Sequence, residues 1–330
     1  MFVCPNLLFR VCLRTALSLS SSFARPQMPR SVPTVAEQSN PRPKRRFYRD
    51  GQGDRKVAYS IGRPTVRGVH EFIKKYLVHS LSAMTASERA RVTLAHPIRP
   101  CGHFVNADTD AKRPPPRKSQ YEIGRMVHQW LRTAIRASIR QPKRRKTTTK
   151  KKPPVRPWIR TILGLIRQVS PQHHAYTPCD SELLVGWKAA GIATEIDAVG
   201  RDLLAVVLFE LKTTTQDGYA TVPRYAFQSE FMRMAGLSRN FALTQCEVDM
   251  LQLLCGKIIF AEHTKRWPTR AYPNNTEVAD MVVIHSREPK QADGYRVPLH
   301  IALLANAISE LMLRSMRAKA FQSGNTQEGV

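Results

Sequence analysis

Ile192-Ala-Thr-Glu195-Ile-Asp197-Ala-Val-Gly200-Arg-Asp202-Leu-Leu-Ala-Val-Val-Leu-Phe209-Glu210-Leu-Lys212 decides how this chain folds. Residues 192–199 and 203–213 have the apolar, β-branched content of strands, and Gly200-Arg-Asp202 between them is a turn signal. The run before Glu210 is apolar at successive positions, so both faces of that strand are buried, as in the middle of a sheet. Residues 182–190 read as a preceding strand, closed by Gly191. Three consecutive strands joined by short turns make an antiparallel meander. Side chains two apart on a strand share a face, about 6.5–7 Å from one another. Glu210 and Lys212 therefore point the same way, with Leu211 turned into the core. Glu195 and Asp197 share a face of the preceding strand, so one of them lies across from Glu210. A charged pair at the end of a buried strand is costly unless it is matched or working.

Upstream, Ser119-Gln-Tyr-Glu122 is a capping box, which marks a helix start. Behind it Ile123, Met126, Val127, Trp130, Leu131, Ala134, Ile135 and Ile139 form one apolar stripe. His128 stands four residues after Gly124, one turn along the same side. Residues 66–84 also have helical spacing, 158–169 read as a short amphipathic helix, and 96–118 read as a loop. Downstream, 225–235 and 238–254 read as helices, 257–262 and 278–285 as strands, and 298–320 as a closing helix. The fold class is α/β, a central mixed sheet with an antiparallel meander flanked by helices.

The chain of 330 residues carries 52 Lys+Arg against 25 Asp+Glu, a net charge of +27. Such a surplus repels itself unless a polyanion is bound. Part of it sits in residues 1–30, which hold Arg10, Arg14, Arg25 and Arg30, many serines and no acid. That composition is expected of a mitochondrial transit peptide and hence a matrix location. A secretory signal keeps its charges ahead of its apolar stretch, whereas Arg10 and Arg14 interrupt this one. Residues 31–118 form a basic amino-terminal region, irregular in its Pro- and Arg-rich part up to residue 64. The densest charge lies at 140–160, an insertion within the core that holds Lys143, Arg144, Arg145, Lys150, Lys151 and Lys152. Each such cation that meets a phosphate releases counterions and strengthens binding without reading sequence. Trp158, Tyr219, Tyr225 and Phe227 are candidates to stack on unpaired bases. The partner expected is nucleic acid.

No apolar run is long enough for a membrane-spanning helix. The six cysteines are far apart and form no C-x-x-C pair, which excludes a disulfide scaffold and a treble-clef zinc site. His173, His174 and Cys179, and Cys101-Gly-His103, lack a second ligand pair. There is no P-loop and no Gly-rich dinucleotide turn. What remains is Asp197, Glu210 and Lys212. Two carboxylates and a backbone carbonyl suit Mg²⁺ or Mn²⁺. Such a cation polarises a phosphoryl group and stabilises a leaving oxygen, and the Lys orients or deprotonates the attacking water.

Asp197 followed thirteen residues later by Glu210-Leu-Lys212 resembles the PD-(D/E)XK nuclease superfamily. Gly124-Arg-Met-Val-His128 on the upstream helix, and Gln245 in Thr244-Gln-Cys-Glu-Val-Asp-Met-Leu-Gln252, narrow the likeness to its RecB-like branch. The mitochondrial genome-maintenance exonucleases of that branch are the most similar. The resemblance runs from about Ser119 to about His285 and departs at Thr194, where a Gly is usual, and at Asp249, where a Tyr is usual. It implies a restriction-endonuclease-like core, placed here at 119–320 with a tail at 321–330. It implies His128, Asp197, Glu210 and the Leu211 carbonyl as metal ligands, Lys212 as the catalytic lysine, and Gln245 as its positioning partner, with Gln252 a rival. It further implies end-directed cleavage of single-stranded DNA. Glu182 is a lower-ranked candidate from the first strand. A non-catalytic nucleic-acid-binding protein of the organelle, or an RNA-processing nuclease, are the alternatives.

Overall fold

In the computed structural model, residues 42–49, 55–61, 65–94, 98–107, 119–140, 156–170, 176–201 and 205–324 are described. The transit-peptide segment 1–30 and the cations Lys143, Arg144, Arg145, Lys150, Lys151 and Lys152 lie outside them.

The amino-terminal part holds strands β1 (Pro43–Arg49), β2 (Arg55–Ile61) and β3 (Thr65–Gly68). A short helix α1 (Val69–Phe72) runs into a wider turn over Ile73–Leu77, followed by β4 (Val78–Ser80), α2 (Ala86–Ala90), β5 (Val92–Leu94) and β6 (Gly102–Val105). Two long helices follow, α3 (Gln120–Arg140) and α4 (Pro157–Gln168). The meander is β7 (Thr177–Trp187), β8 (Ile192–Arg201) and β9 (Val206–Lys212). Then come β10 (Pro223–Phe227), α5 (Ser229–Met234), β11 (Asn240–Thr244) and α6 (Gln245–Arg266). The chain closes with β12 (Val278–Glu288), β13 (Gln291–Arg296), α7 (Leu299–Ala302) and α8 (Ala305–Gly324).

The protein is α/β, with a large mixed sheet flanked by helices. Its strand order is β1-β2-β3-β8-β9-β12-β13-β6, with β7 paired to β8. The meander is antiparallel as expected, and β12 joins β9 in parallel. Such a parallel step requires a crossover, and α6 lies within it. The strand period sorts β9 into two faces. Val206 and Leu208 pack with α6 and α8, whereas Val207, Phe209 and Leu211 pack with α3 and α4. Helix α3 begins where its capping box places it, with the Ser119 N–H donating to Glu122 Oε2 at 2.8 Å. It buries Val127, Leu131 and Ile135, one residue per turn, against the sheet. Fully burying each such side chain contributes about 1.5–3 kcal/mol.

Several expectations are corrected. The region 31–118 is not separate from the core. Its β3 pairs with β8 and its β6 pairs with β13, while β1 and β2 form a hairpin in the stretch expected to be irregular. Backbone pairing is indifferent to side-chain charge, so the Arg- and Lys-rich composition concealed those strands. Residues 66–84 are helical over 69–77 and in a single tight turn at Leu81–Ala83, with β4 between them. The helix expected over 225–235 begins as strand β10, and the one expected over 238–254 begins as β11. These two strands, with β4 and β5, form a second sheet in the order β4-β10-β11-β5. Residues 257–262 are not a strand but part of α6, where Ile259 and Phe260 are buried. A fully buried helix segment and a buried strand carry the same apolar run. The signal that settles it is Thr244-x-x-Glu247, a capping box in which Glu247 Oε2 accepts the Thr244 N–H at 2.6 Å.

Candidate functional site

Strand register brings three acids abreast. Leu183 pairs with Ile196 and Ser181 with Ala198, so Glu182 of β7 stands beside Asp197 of β8. Ala198 pairs with Phe209, so continuing that register sets Asp197 beside Glu210 of β9. The β8–β9 ladder ends at Ala198 and Phe209, one residue before Asp197, and the β7–β8 ladder passes from Ser181–Ala198 to Leu183–Ile196. The Leu211 N–H donates to Asp197 Oδ2 at 2.8 Å. Glu182 has a left-handed φ of +50°. For a side chain other than Gly or Asn such a conformation costs about 1–3 kcal/mol, and it concentrates at functional sites.

Helix α3 supplies the next groups. Gly124 lies against the end of β9, where an added Cβ would stand 3.0 Å from Thr213 Oγ1. The missing side chain lets the helix approach closely enough for His128 Nδ1 to sit 3.2 Å from Asp197 Oδ1. One turn further, Arg132 Nη1 donates to Glu182 Oε2 at 2.6 Å. Gln120 Nε2, at the start of the helix, donates to the Thr213 carbonyl.

On the other side, α6 fixes the lysine. Lys212 Nζ lies 2.8 Å from Glu210 Oε1, 3.2 Å from Gln252 Oε1 and 3.5 Å from Asp249 Oδ1. Gln252 Nε2 donates to Glu210 Oε1 at 2.6 Å, so this one amide braces both the acid and the amine. Behind them, Gln245 Nε2 donates to Asp249 Oδ1 at 3.1 Å, and the Tyr225 hydroxyl donates to Gln245 Oε1 at 2.8 Å. The Tyr219 hydroxyl donates to Asp249 Oδ2 at 2.7 Å while its ring stacks on His285 at 4.0 Å.

Electrostatics follow from this crowding. Burial pushes the Glu210 carboxyl up to about 8, and the neighbouring Asp197 charge adds to it against the pull of Lys212. Burial disfavours charge on His128, but the Asp197 carboxylate and its hydrogen bond more than offset this and raise the imidazole to about 9. Burial likewise opposes Asp197, yet His128 and Lys212 hold its carboxyl below the usual range. Burial opposes Lys212 too, and the charges of Glu210, Asp249 and Asp197 overcome it and raise the amine. Lys212 is therefore a cation at neutral pH.

His128, Asp197, Glu210, Leu211 and Lys212 line one open cleft of about 420 Å³, together with Glu182, Glu195, Arg45, Tyr121 and Arg125. These first five thus line the same cleft. Gln245 is at one remove, reaching Lys212 only through Asp249, and Gln252 makes the direct contacts instead. Gln245, Asp249 and Gln252 recur at four and three residues, a polar stripe along the first half of α6 on the face turned to the site. Trp158 is only 5% exposed and packs between α3 and α4, so it offers no face to a base. Tyr219 and Phe227 are buried as well.

The donor set, an imidazole, two carboxylates and a strand-end backbone, has the chemistry of a site for a hard divalent cation. Among the described residues no three His, Cys, Asp or Glu side chains already stand together at metal-binding separation. The reason is visible in the contacts: Glu210 is engaged by Lys212 and Gln252, and Asp197 by Leu211 and His128. No helix among the described residues is long and apolar enough to cross a membrane. No protein-family model matches the chain, and no curated protein is detectably similar to it.

Proposed function

We propose that the chain is a divalent-metal-dependent nuclease of the PD-(D/E)XK type that hydrolyses phosphodiesters in DNA. One observation carries the reading: Asp197 and Glu210 each stand one residue beyond the last paired residues, Ala198 and Phe209, of neighbouring strands, Lys212 follows on the Glu210 face, and all three open with His128 into one cleft. The order of helix, three-stranded meander, helix and parallel strand, set out above, supports a restriction-endonuclease-like core. The acid-free, Arg- and Ser-rich segment 1–30 supports a mitochondrial matrix location, and the resemblance to genome-maintenance exonucleases supports an end-directed action on single strands.

Asp197, Glu210, His128 and the Leu211 carbonyl would hold Mg²⁺ or Mn²⁺, which supplies a Lewis acid for the phosphoryl oxygen and a more acidic water. The side chains do the rest. Lys212, kept protonated, donates hydrogen bonds to the attacking water or to the phosphoryl oxygen and neutralises charge as it develops. Gln252 and Asp249 hold that ammonium in place.

The test is cleavage of end-labelled single-stranded DNA with Mg²⁺ or Mn²⁺. Wild type cleaves, whereas Lys212→Ala and Glu210→Ala each abolish cleavage and leave binding nearly unchanged. Cleavage that persists in both variants overturns the reading. A second reading, a non-catalytic nucleic-acid binder, is favoured by the closed Glu210–Lys212–Gln252 cluster. Wild-type protein that binds DNA but never cleaves it selects that one, and preferential cleavage of competing RNA selects an RNA-processing enzyme.

A further inference from the structure

The cleft has a rim that the hydrolytic residues do not use. Tyr121, on the first turn of α3, is 71% exposed and lines the cleft beside Glu210 and Lys212. Its hydroxyl has no hydrogen-bond partner among the described residues. One turn on, Arg125 is exposed and lines the same cleft. The arginines and lysine lining the cleft, among the described residues, are Arg45, Arg125 and Lys212. Arg45 is paired with Glu195 at 2.7 Å and Lys212 with Glu210 at 2.8 Å. Arg125 is the one without an ion pair among the described residues.

Tyr121, Arg125 and His128 stand at i, i+4 and i+7, so they share one face of α3. Seven residues of helix rise about 10 Å, or about three stacked base steps. Single exposed aromatics are ordinary on protein surfaces. This one is distinguished by its place at the mouth of an acid-lined cleft, one helical turn from an uncommitted guanidinium.

Resting on the nuclease reading above, we infer that Tyr121 is a stacking platform for an unpaired base and that Arg125 holds a backbone phosphate beside it. Together they make the cleft select a single strand over a duplex. A base inside a duplex presents no free face to a tyrosine ring, whereas an unpaired base does. Stacking of this kind tolerates any sequence, because every base has a π-face. The guanidinium adds a charge that meets phosphate without reading sequence. The expected ligand is thus a single-stranded segment bound by one base face and one phosphate, with the next backbone linkages leading along α3 towards His128 and the paired acids.

The experiment is fluorescence anisotropy of the full-length protein with a labelled oligothymidylate and with a labelled duplex, both in EDTA so that binding is read without cleavage. Tyr121→Ala weakens oligothymidylate binding about five- to a hundredfold and leaves duplex binding unchanged. Tyr121→Phe, which keeps the ring, binds like wild type. Arg125→Gln lowers the salt dependence of oligothymidylate binding by about one phosphate contact. The inference fails if Tyr121→Ala binds the single strand like wild type, if Tyr121→Phe is as weak as Tyr121→Ala, or if duplex binding falls equally. Cleavage by wild type together with unaltered binding by Tyr121→Ala sinks this inference alone. Absence of both cleavage and oligothymidylate binding in wild type sinks the nuclease reading with it.

Discussion

Asp197 Oδ2 accepts the backbone N–H of Leu211 at 2.8 Å, so the carboxylate of one strand completes the hydrogen bonding of the next. The same carboxylate holds His128 through its other oxygen at 3.2 Å. A residue expected only to bind a cation thus also ties the meander to α3.

Asp197→Ala should therefore cost stability as well as activity. The change leaves a strand N–H without its acceptor and removes the negative partner of a largely buried imidazolium. The expected loss is about 2–4 kcal/mol, read as a lower midpoint of urea denaturation in EDTA. Asp197→Asn, which keeps an acceptor oxygen, should lose less. Equal midpoints for wild type and the alanine variant would show that the contact carries no weight.

Gln252, rather than Gln245, braces Glu210 and Lys212. Gln252→Ala should reduce single-turnover cleavage by about a hundredfold, the scale of a loss when a catalytic group is misplaced by about an ångström. Gln245→Ala, acting only through Asp249, should reduce it less. The opposite ranking would return the positioning role to Gln245.

Divalent cations should stabilise the wild type by mass action. At a concentration a hundred times its Kd, one bound ion contributes about 2.7 kcal/mol. Scanning calorimetry should show Tm rising with Mn²⁺ or Mg²⁺ and falling back on EDTA addition. Glu210→Ala should remove that response, and a response that survives would place the ion elsewhere.

Acid sensitivity should come from His263. Its Nδ1 accepts the Gly186 N–H at 3.3 Å, and burial, reinforced by the Arg42 charge, lowers the imidazole to about 4. The unfolded chain takes up this proton near the ordinary value of about 6.5 while the folded chain does not. Stability is then full above about pH 6.5 and falls as pH drops towards 4, by at most about 3 kcal/mol. Urea denaturation at about pH 7 and about pH 5 should show the loss in wild type and a flatter dependence in His263→Gln.

Gly164→Ala should destabilise the protein even though alanine is the better helix former. An added Cβ would run into the Phe104 ring, which packs into α4 at that point. Overpacking of this kind costs about 1–3 kcal/mol, more than the roughly 1 kcal/mol gained in helix propensity. Thermal denaturation decides the sign.

The acids, the lysine and the imidazole were legible because each depends on a short-range period. Two residues apart on a strand put Glu210 and Lys212 on one face, a short turn put Asp197 across from them, and a helical turn separated Gly124 from His128. The capping box at Ser119 fixed where α3 begins. What went unread lay at longer range. The hairpin of β1 and β2 looked irregular because its strands are rich in charge, and the part of α6 around Ile258, Ile259 and Phe260 looked like a strand because a short apolar run has no readable helical period.

The sequence by itself determined the meander and the direction of its charged side chains, since periods of 2 and 3.6 follow from local backbone geometry. Only the tertiary structure decided that the turn of α6 bearing Asp249 and Gln252 meets Lys212, that Trp158 is packed away, and that Tyr121 and Arg125 stand at the mouth of the cleft. Which turn of a helix meets which strand is set by packing between segments far apart in the chain, and a local pattern marks a polar face without naming its partner.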